Sequence, residues 1–344
     1  MRAAVTESKA SIRIVDVPDP GVPGDGEVIL KPEAVGLCGS DFHYFLGHIG
    51  SVEGSHLYPR VLGHEAAGTV EAVGPGCPPE LRTGERVSMW PLVACGHCYP
   101  CRIGRRNACA NISLIGVHTD GALQERLRVP ASQVFPVGEQ DPAVTALIEP
   151  VSIAVRAVVR GRVAEGEKVV VFGAGPIGQA IAVAAIDRGA SVLLVDRVRS
   201  RLERGKPTGA DLLAADEGSD PVSAALEWAG SDGPEVVFEA TGAAEVARTA
   251  VQLVAQAGRV VVVGLGSNDA PLRISDLAFK EIDVLGVSCC NADEFADAVS
   301  LVARQQHVLA GLVTHEFPFE QAHEAMVYAI EHPAEVMKAV IRLD

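Results

Sequence analysis

The chain has 344 residues with 29 basic and 44 acidic side chains, and its formal net charge of −15 repels phosphate backbones and anionic lipid, which argues against nucleic acid or a membrane as a partner. Hydrophobic residues make up 48% at a mean hydropathy of +0.23, enough for large cores, yet aromatics are only 4%; packing must rest on Val, Ala, Leu and Ile, which favours parallel sheet with helices over an aromatic-rich sandwich or a base-stacking surface. The length predicts about two domains. With no run of 18 apolar residues and no signal-peptide pattern in Met1–Lys9, we expect a soluble cytoplasmic protein whose eight cysteines are not disulfides.

Residues 1–150 read as a β-rich domain with long loops: Ser11 to Val17, Gly26 to Val35 and Ala66 to Val73 are rich in Val, Ile and Ala and are separated by Pro- and Gly-containing turns. Just after the second of these comes Cys38-Gly-Ser-Asp-Phe-His43, which puts a thiol, a hydroxyl and an imidazole within six residues, on a loop or the start of a short helix. Alone, Cys38 reads more readily as an inert thiol than as a ligand. Gly63-His64-Glu65 supplies the donors a catalytic zinc would need beside it, since such a site takes three protein ligands and leaves a fourth position open. Gly63 is expected to let the backbone come close to the ion.

Cys95, Cys98, Cys101 and Cys109 follow, with two, two and seven residues between them. Four thiolates this close in sequence can surround one tetrahedral ion; an iron-sulfur cluster makes a similar demand. The site would be closed and therefore structural, which leaves His97 as an exposed polar residue. Leu147-Ile-Glu149-Pro-Val151 then places a carboxylate in an apolar run, which is costly unless a cation compensates it. Glu149 is either a further ligand near the metal or the N-terminal carboxylate of a helix that Pro150 begins.

From 151 to 289 the pattern changes to alternating strand and helix, a doubly wound parallel sheet. Glu167 to Phe172 is an apolar strand, Gly173-Ala-Gly175-Pro176-Ile177-Gly178 a glycine turn, Gln179 to Asp187 helical, and Ser191 to Asp196 a second strand ending in a carboxylate. Strand, turn, helix, strand and terminal Asp in one unit form the dinucleotide-binding pattern, in which Gly173 permits the tight turn, Gly175 admits the pyrophosphate and Gly178 lets helix pack on strand. Asp196 would accept from the adenosine ribose hydroxyls and repel a 2′-phosphate, pointing to NAD; Arg197 and Arg199 stand beside it as an offsetting charge. Further strands are expected at Glu235 to Phe238, Arg259 to Val263 and Glu281 to Gly286, with Ala244 to Ala257 helical. Ala240-Thr-Gly242 and Gly264-Leu-Gly266 fall at strand C-termini, where such sheets bind ligands. Residues 290–344 read as helix, a short extended piece near Val313 to Phe319, helix, and a last strand from Lys338 to Leu343 that should return to complete the first domain.

These motifs, in this order and over essentially the full length, resemble the zinc-dependent medium-chain alcohol dehydrogenases. Within them, Ile115-Gly-Val-His118-Thr-Asp-Gly and Thr314-His-Glu-Phe-Pro-Phe319 are similar to the branch holding sorbitol, threonine and sugar-acid enzymes such as L-galactonate and L-idonate 5-dehydrogenases. The resemblance implies an α/β fold with a GroES-like β-rich catalytic domain and a Rossmann domain, NAD as cofactor, and two zinc ions. Cys38, His64, Glu65 and Glu149 would hold the catalytic zinc and Cys95, Cys98, Cys101 and Cys109 the structural one. It implies oxidation of a secondary alcohol of a polyol, sugar or sugar acid to a ketone, with Ser40 and His43 moving the proton and Tyr44 lining the substrate pocket. The chain departs from sorbitol-type members in reading Ser288-Cys-Cys-Asn291 where they carry an Arg near the substrate. Two other functions are kept: a threonine-type amino-alcohol dehydrogenase, and a zinc-stabilised protein that senses NAD(H) without turnover. The apolar strand near Ile282 to Val287 would lie at a sheet edge open to a second subunit, so a homodimer or homotetramer is expected.

Overall fold

The computed structural model describes residues 1–48, 58–266 and 268–343. The chain divides into two compact units, one made of Met1–Glu149 with Cys290–Asp344 and the other of Pro150–Cys289.

The first unit is built on a seven-stranded sheet. Its path runs Val134–Pro136, Arg86–Met89, Glu65–Val73, Glu27–Gly36, Lys338–Arg342, Val313–Pro318, with Leu127–Pro130 added on Glu27–Gly36. A three-stranded sheet, Ser11–Asp16, Arg2–Ser8 and Arg60–Val61, sits in the same unit. The long strand Glu27–Gly36 is buried at nearly every position, and Val28, Leu30 and Val35 join Val70, Val87, Met89 and Ile341 in one core. Two of its contacts build the site. Gly36 pairs with Glu65 on one side and with Val340 on the other, so the C-terminal strand is brought from the far end of the chain to the segment that precedes Cys38.

The second unit carries six parallel strands in the order Asp211–Ala214, Ser191–Asp196, Lys168–Phe172, Val236–Glu239, Arg259–Val262, Asp283–Gly286. Numbered within the unit this is 3-2-1-4-5-6, the doubly wound order, and the strand order reverses between Lys168–Phe172 and Val236–Glu239. The central strands read Val-Val-Val and Val-Leu-Leu-Val because a parallel sheet covered on both faces buries both sets of side chains. One stretch among the described residues, Pro142–Arg160, is long and apolar enough to cross a membrane, but 78% of it is buried inside the protein, where its apolar surface belongs to the core.

Candidate active site and metal centres

Cys38 caps the seven-residue helix Gly39–Phe45, and its own amide donates to the Asp41 carboxylate at 2.9 Å, so the helix start that presents the thiol is fixed from within. His64 and Glu65 come from the start of the strand Glu65–Val73, which pairs with the strand leading to Cys38. One ligand atom from each of Cys38, His64 and Glu65 lies within 4.8 Å of the others, which is the separation a single ion could bridge. Gly63 takes φ +99°, and a Cβ there would stand 2.7 Å from Val35 Cγ1 and 3.1 Å from Leu123 Cγ. Its small size therefore serves the backbone turn and core packing rather than room for the ion.

The charges around this cluster are arranged for a cation. Asp41, 1% exposed, places Oδ1 3.5 Å from His64 Nδ1, and neither atom has another hydrogen-bond partner among the described residues. Burial opposes a charge on His64, but Asp41 and Cys38 override it and hold the imidazole well above its ordinary pKa. A carboxylate behind a ligating imidazole fixes its ring. Glu149 lies in the first turn of the helix Ile148–Arg160, the second of its two expected places, and it feels the charges of His64, Glu65, Lys338 and Asp41. Burial, with Glu65 and Asp41 adding to it against His64 and Lys338, raises its carboxyl to about 7. It is not one of the three residues within the 4.8 Å group.

Lys338, at the start of the last strand, was not read from the sequence as part of the site. It is 5% exposed, and its Nζ donates to both oxygens of Glu65 at 2.7 and 2.7 Å and to the Leu37 carbonyl at 3.1 Å. The carboxylate can lie there because Gly36 stands opposite it in the sheet: a Cβ on Gly36 would come within 2.2 Å of Glu65 Oε2. The available signal was a lysine opening the otherwise apolar run Lys338-Ala-Val-Ile341, the same anomaly that drew attention to Glu149.

Ser40 and His43 lie three residues apart on the helix Gly39–Phe45, hence on one face, with Ser40 half-buried and His43 exposed. Tyr44, expected to line the substrate pocket, is 3% exposed within the core; its ring meets Tyr58 edge-on at 5.4 Å, and burial raises its pKa against the opposing effect of Arg60. Packing is what its ring does in this unit.

The four sulfurs of Cys95, Cys98, Cys101 and Cys109 also lie within 4.8 Å of one another, with Cys98 Sγ 3.4 Å from Cys101 Sγ and 3.8 Å from Cys109 Sγ. The amides of Cys95 and Asn111 donate to Cys109 Sγ at 3.3 Å each. Hydrogen bonds from the His97 and Cys98 amides draw the Cys95 thiol down to about 5, whereas burial and the neighbouring Cys98 push Cys101 up to about 12. Four thiol donors within one ion's reach, with amides donating to their sulfurs, fit a thiolate-bound metal. His97 is exposed and its ring nitrogen meets the Cys95 carbonyl at 2.9 Å, outside the sulfur group.

In the second unit Gly173 has φ +102°, a Cβ on Gly175 would meet nothing within 4 Å, and one on Gly178 would lie 1.7 Å from the Gly173 carbonyl oxygen. The three glycines thus supply a left-handed turn, an open approach and a close helix contact, the requirements of a pyrophosphate cradle. Gly175 caps the helix Pro176–Asp187, with Pro176 and Ile177 in its first turn. Asp196 ends the next strand; its carboxylate accepts from Ala174 N at 2.6 Å and Val198 N at 2.7 Å, which holds it beside the turn. Arg197 is exposed, and Arg199 is paired with Asp216.

Two metal centres of these donor sets with a glycine turn on a doubly wound sheet define a metal-dependent dinucleotide dehydrogenase. Family profiles described as "Alcohol dehydrogenase GroES-like domain" and "Zinc-binding dehydrogenase" match residues 24–139 and 176–304. The chain is 36% identical over 324 residues to L-galactonate-5-dehydrogenase of Escherichia coli, covering 93% of each protein, and 37% identical over 335 residues to sorbitol dehydrogenase of Rattus norvegicus, covering 93% of this chain and 90% of that one. Among solved structures, an alcohol dehydrogenase of Escherichia coli CFT073 complexed with NADH superimposes with a TM-score of 0.87 at 31% identity, covering 100% of this chain and 99% of that one. The chain belongs to the zinc-dependent alcohol dehydrogenase family, with the GroES-like and Rossmann architecture that its motifs implied.

Proposed function

We propose that the chain oxidises a secondary alcohol of a polyol, sugar or sugar acid to the ketone, passing a hydride to NAD and releasing a proton. The observation that carries this is the convergence of Cys38, His64 and Glu65 within 4.8 Å beside Lys338 and Asp41. The names of relatives such as L-galactonate-5-dehydrogenase and sorbitol dehydrogenase support the substrate class.

Bound there, zinc would act as a Lewis acid that lowers the pKa of the substrate hydroxyl. Cys38 and His64 would hold it, with Glu65 and Glu149 as the carboxylates able to join, and Cys95, Cys98, Cys101 and Cys109 would hold a second, structural ion. Ser40 would take the hydroxyl proton and pass it by way of the cofactor ribose to His43, which is exposed on the same helix face and hands it to solvent. Asp196 accepts from the adenosine ribose and disfavours a 2′-phosphate, so NAD is the preferred cofactor. All eight cysteines are free of disulfides, which suits a reducing compartment such as the cytoplasm.

A homodimer or homotetramer fits the second unit. Asp283–Gly286 is the edge strand of its sheet, Val284 is exposed, and the nearby helix Ile274–Lys280 buries none of its residues while Phe279 stays 85% exposed. A panel of polyols, aldonates and amino alcohols offered with NAD, read by absorbance of the reduced cofactor, tests the reading. Turnover on polyols or aldonates is expected, and turnover confined to amino alcohols would contradict the substrate class.

A further inference from the structure

The strand Val236–Glu239 ends in a carboxylate that neither zinc centre nor the glycine turn uses. Glu239 is 1% exposed at the end of an apolar strand, and among the described residues no Lys or Arg pairs with it. A buried carboxylate persists only where hydrogen bonds replace its water. Here Oε1 accepts from Thr241 N at 2.7 Å, from Gly242 N at 2.9 Å and from the Thr241 hydroxyl. Oε2 lies against the next strand's turn, where a Cβ on Gly264 would reach it at 2.8 Å and Gly242 N at 2.1 Å. A Cβ on Gly266 would stand 2.1 Å from the Gly242 carbonyl oxygen. The turns Ala240–Gly242 and Gly264–Gly266 are therefore locked together, back to back, around one carboxylate.

The location gives this lock a consequence. Glu239 pairs in register with Phe172, the last residue before the glycine turn, and Ala240 N donates to the Phe172 carbonyl at 2.9 Å. A Cβ on Gly173 would meet Thr241 Cγ2 at 3.0 Å, so the Thr241 methyl rests against the glycine turn itself. This is the point at which the strand order reverses, and a dinucleotide lies across that crevice with one half over each side. In that placement the glycine turn would cradle the pyrophosphate and Asp196 would stand beside the adenosine ribose, leaving the turns after strands four and five to the other half.

We propose that Glu239 is a positioning residue for the cofactor: its carboxylate sets Ala240–Gly242, and through it Gly264–Gly266, as the platform for the nicotinamide half of NAD. The inference rests on the dehydrogenase reading above and adds which buried group shapes that half of the cleft. The anion is suited to the task because a single fixed oxygen can hold two successive amides and a hydroxyl, a geometry that a neutral amide reproduces only in part.

The test separates the two halves of the cofactor. In the full-length zinc-loaded protein, Glu239→Gln should weaken NADH, titrated by its fluorescence, by about tenfold, the loss of one hydrogen bond to a charged group, while AMP, titrated by calorimetry, binds as in the wild type. Thr241→Val, which removes the hydroxyl donor and keeps the volume, should shift NADH in the same direction by a smaller factor and stands alone if the first variant does not fold. Unchanged NADH affinity in both folded variants, or an equal loss for NADH and AMP, would overturn the proposal. A wild-type protein that binds neither ligand would instead overturn the dehydrogenase reading on which it depends.

Discussion

Lys338 and Glu65 lie 273 positions apart, and the pairing of their strands with Glu27–Gly36 makes them a buried ion pair beside a metal site. Breaking such a pair by removing one partner costs about 3–5 kcal/mol because a charge is left buried and uncompensated. Lys338→Met should lower the urea midpoint of the metal-free protein accordingly, and a midpoint equal to the wild type would show that the pair is not what holds Glu65. Gly36→Ala probes the same carboxylate from the other side, since its Cβ would intrude within 2.2 Å of Glu65 Oε2. Glu65 is one of the candidate donors, so displacing its carboxylate should cost at least the roughly 10–100-fold in metal affinity that loss of an outer partner commonly costs. Zinc retention against a chelator should fall on that scale for this variant with its circular dichroism unchanged, and unaltered retention would detach Gly36 from the site. Cys38, His64 and Glu65 stood out because their types are metal donors and they sit in short glycine-containing motifs. Lys338 and Asp41 were not, because a lysine at a strand start and an aspartate in a helix turn have ordinary surface explanations that only long-range pairing removes.

At the scale of elements, the features tied to short sequence patterns emerged where they were expected. The strand Ser191–Asp196 has the expected bounds, and the glycine turn has the three backbone properties its residues were assigned. The four-Cys lobe is equally local, and its consequence can be isolated. Cys101→Ser should leave the protein with one zinc fewer by elemental analysis, make the lobe the first site of proteolysis, and keep the Cys38 centre loaded; an unchanged zinc count would contradict a four-thiolate site. The strand Arg2–Ser8 escaped notice because Arg-Ala-Ala-Val carries little strand propensity and is held by its ladder to Ser11–Asp16. The helix Ala244–Leu253 stops short of the expected Ala257, since Val254 turns extended and Ala257 takes φ +55° before the next strand. In both places tertiary pairing decides what local preference leaves open.

For the whole molecule, composition already spoke against an aromatic-rich sandwich, and the alternation of strand and helix after residue 150 announced the doubly wound sheet. The return of residues 290–344 to the first unit was expected from the final strand, and Lys338–Arg342 pairs there with Glu27–Gly36. The proposed oligomer would use the exposed edge Asp283–Gly286 of the second unit, so Val284→Lys, which places a charge on that edge, should give a smaller species by light scattering. An unchanged mass would move the interface elsewhere. The central claim is that Cys38, His64 and Glu65 hold the zinc at which the alcohol is oxidised. Its most direct test is NAD reduction by His64→Ala on the best substrate of the panel, with NADH affinity measured on the same preparation: the account predicts that turnover is abolished while NADH binds as in the wild type, and turnover at the wild-type rate would contradict it.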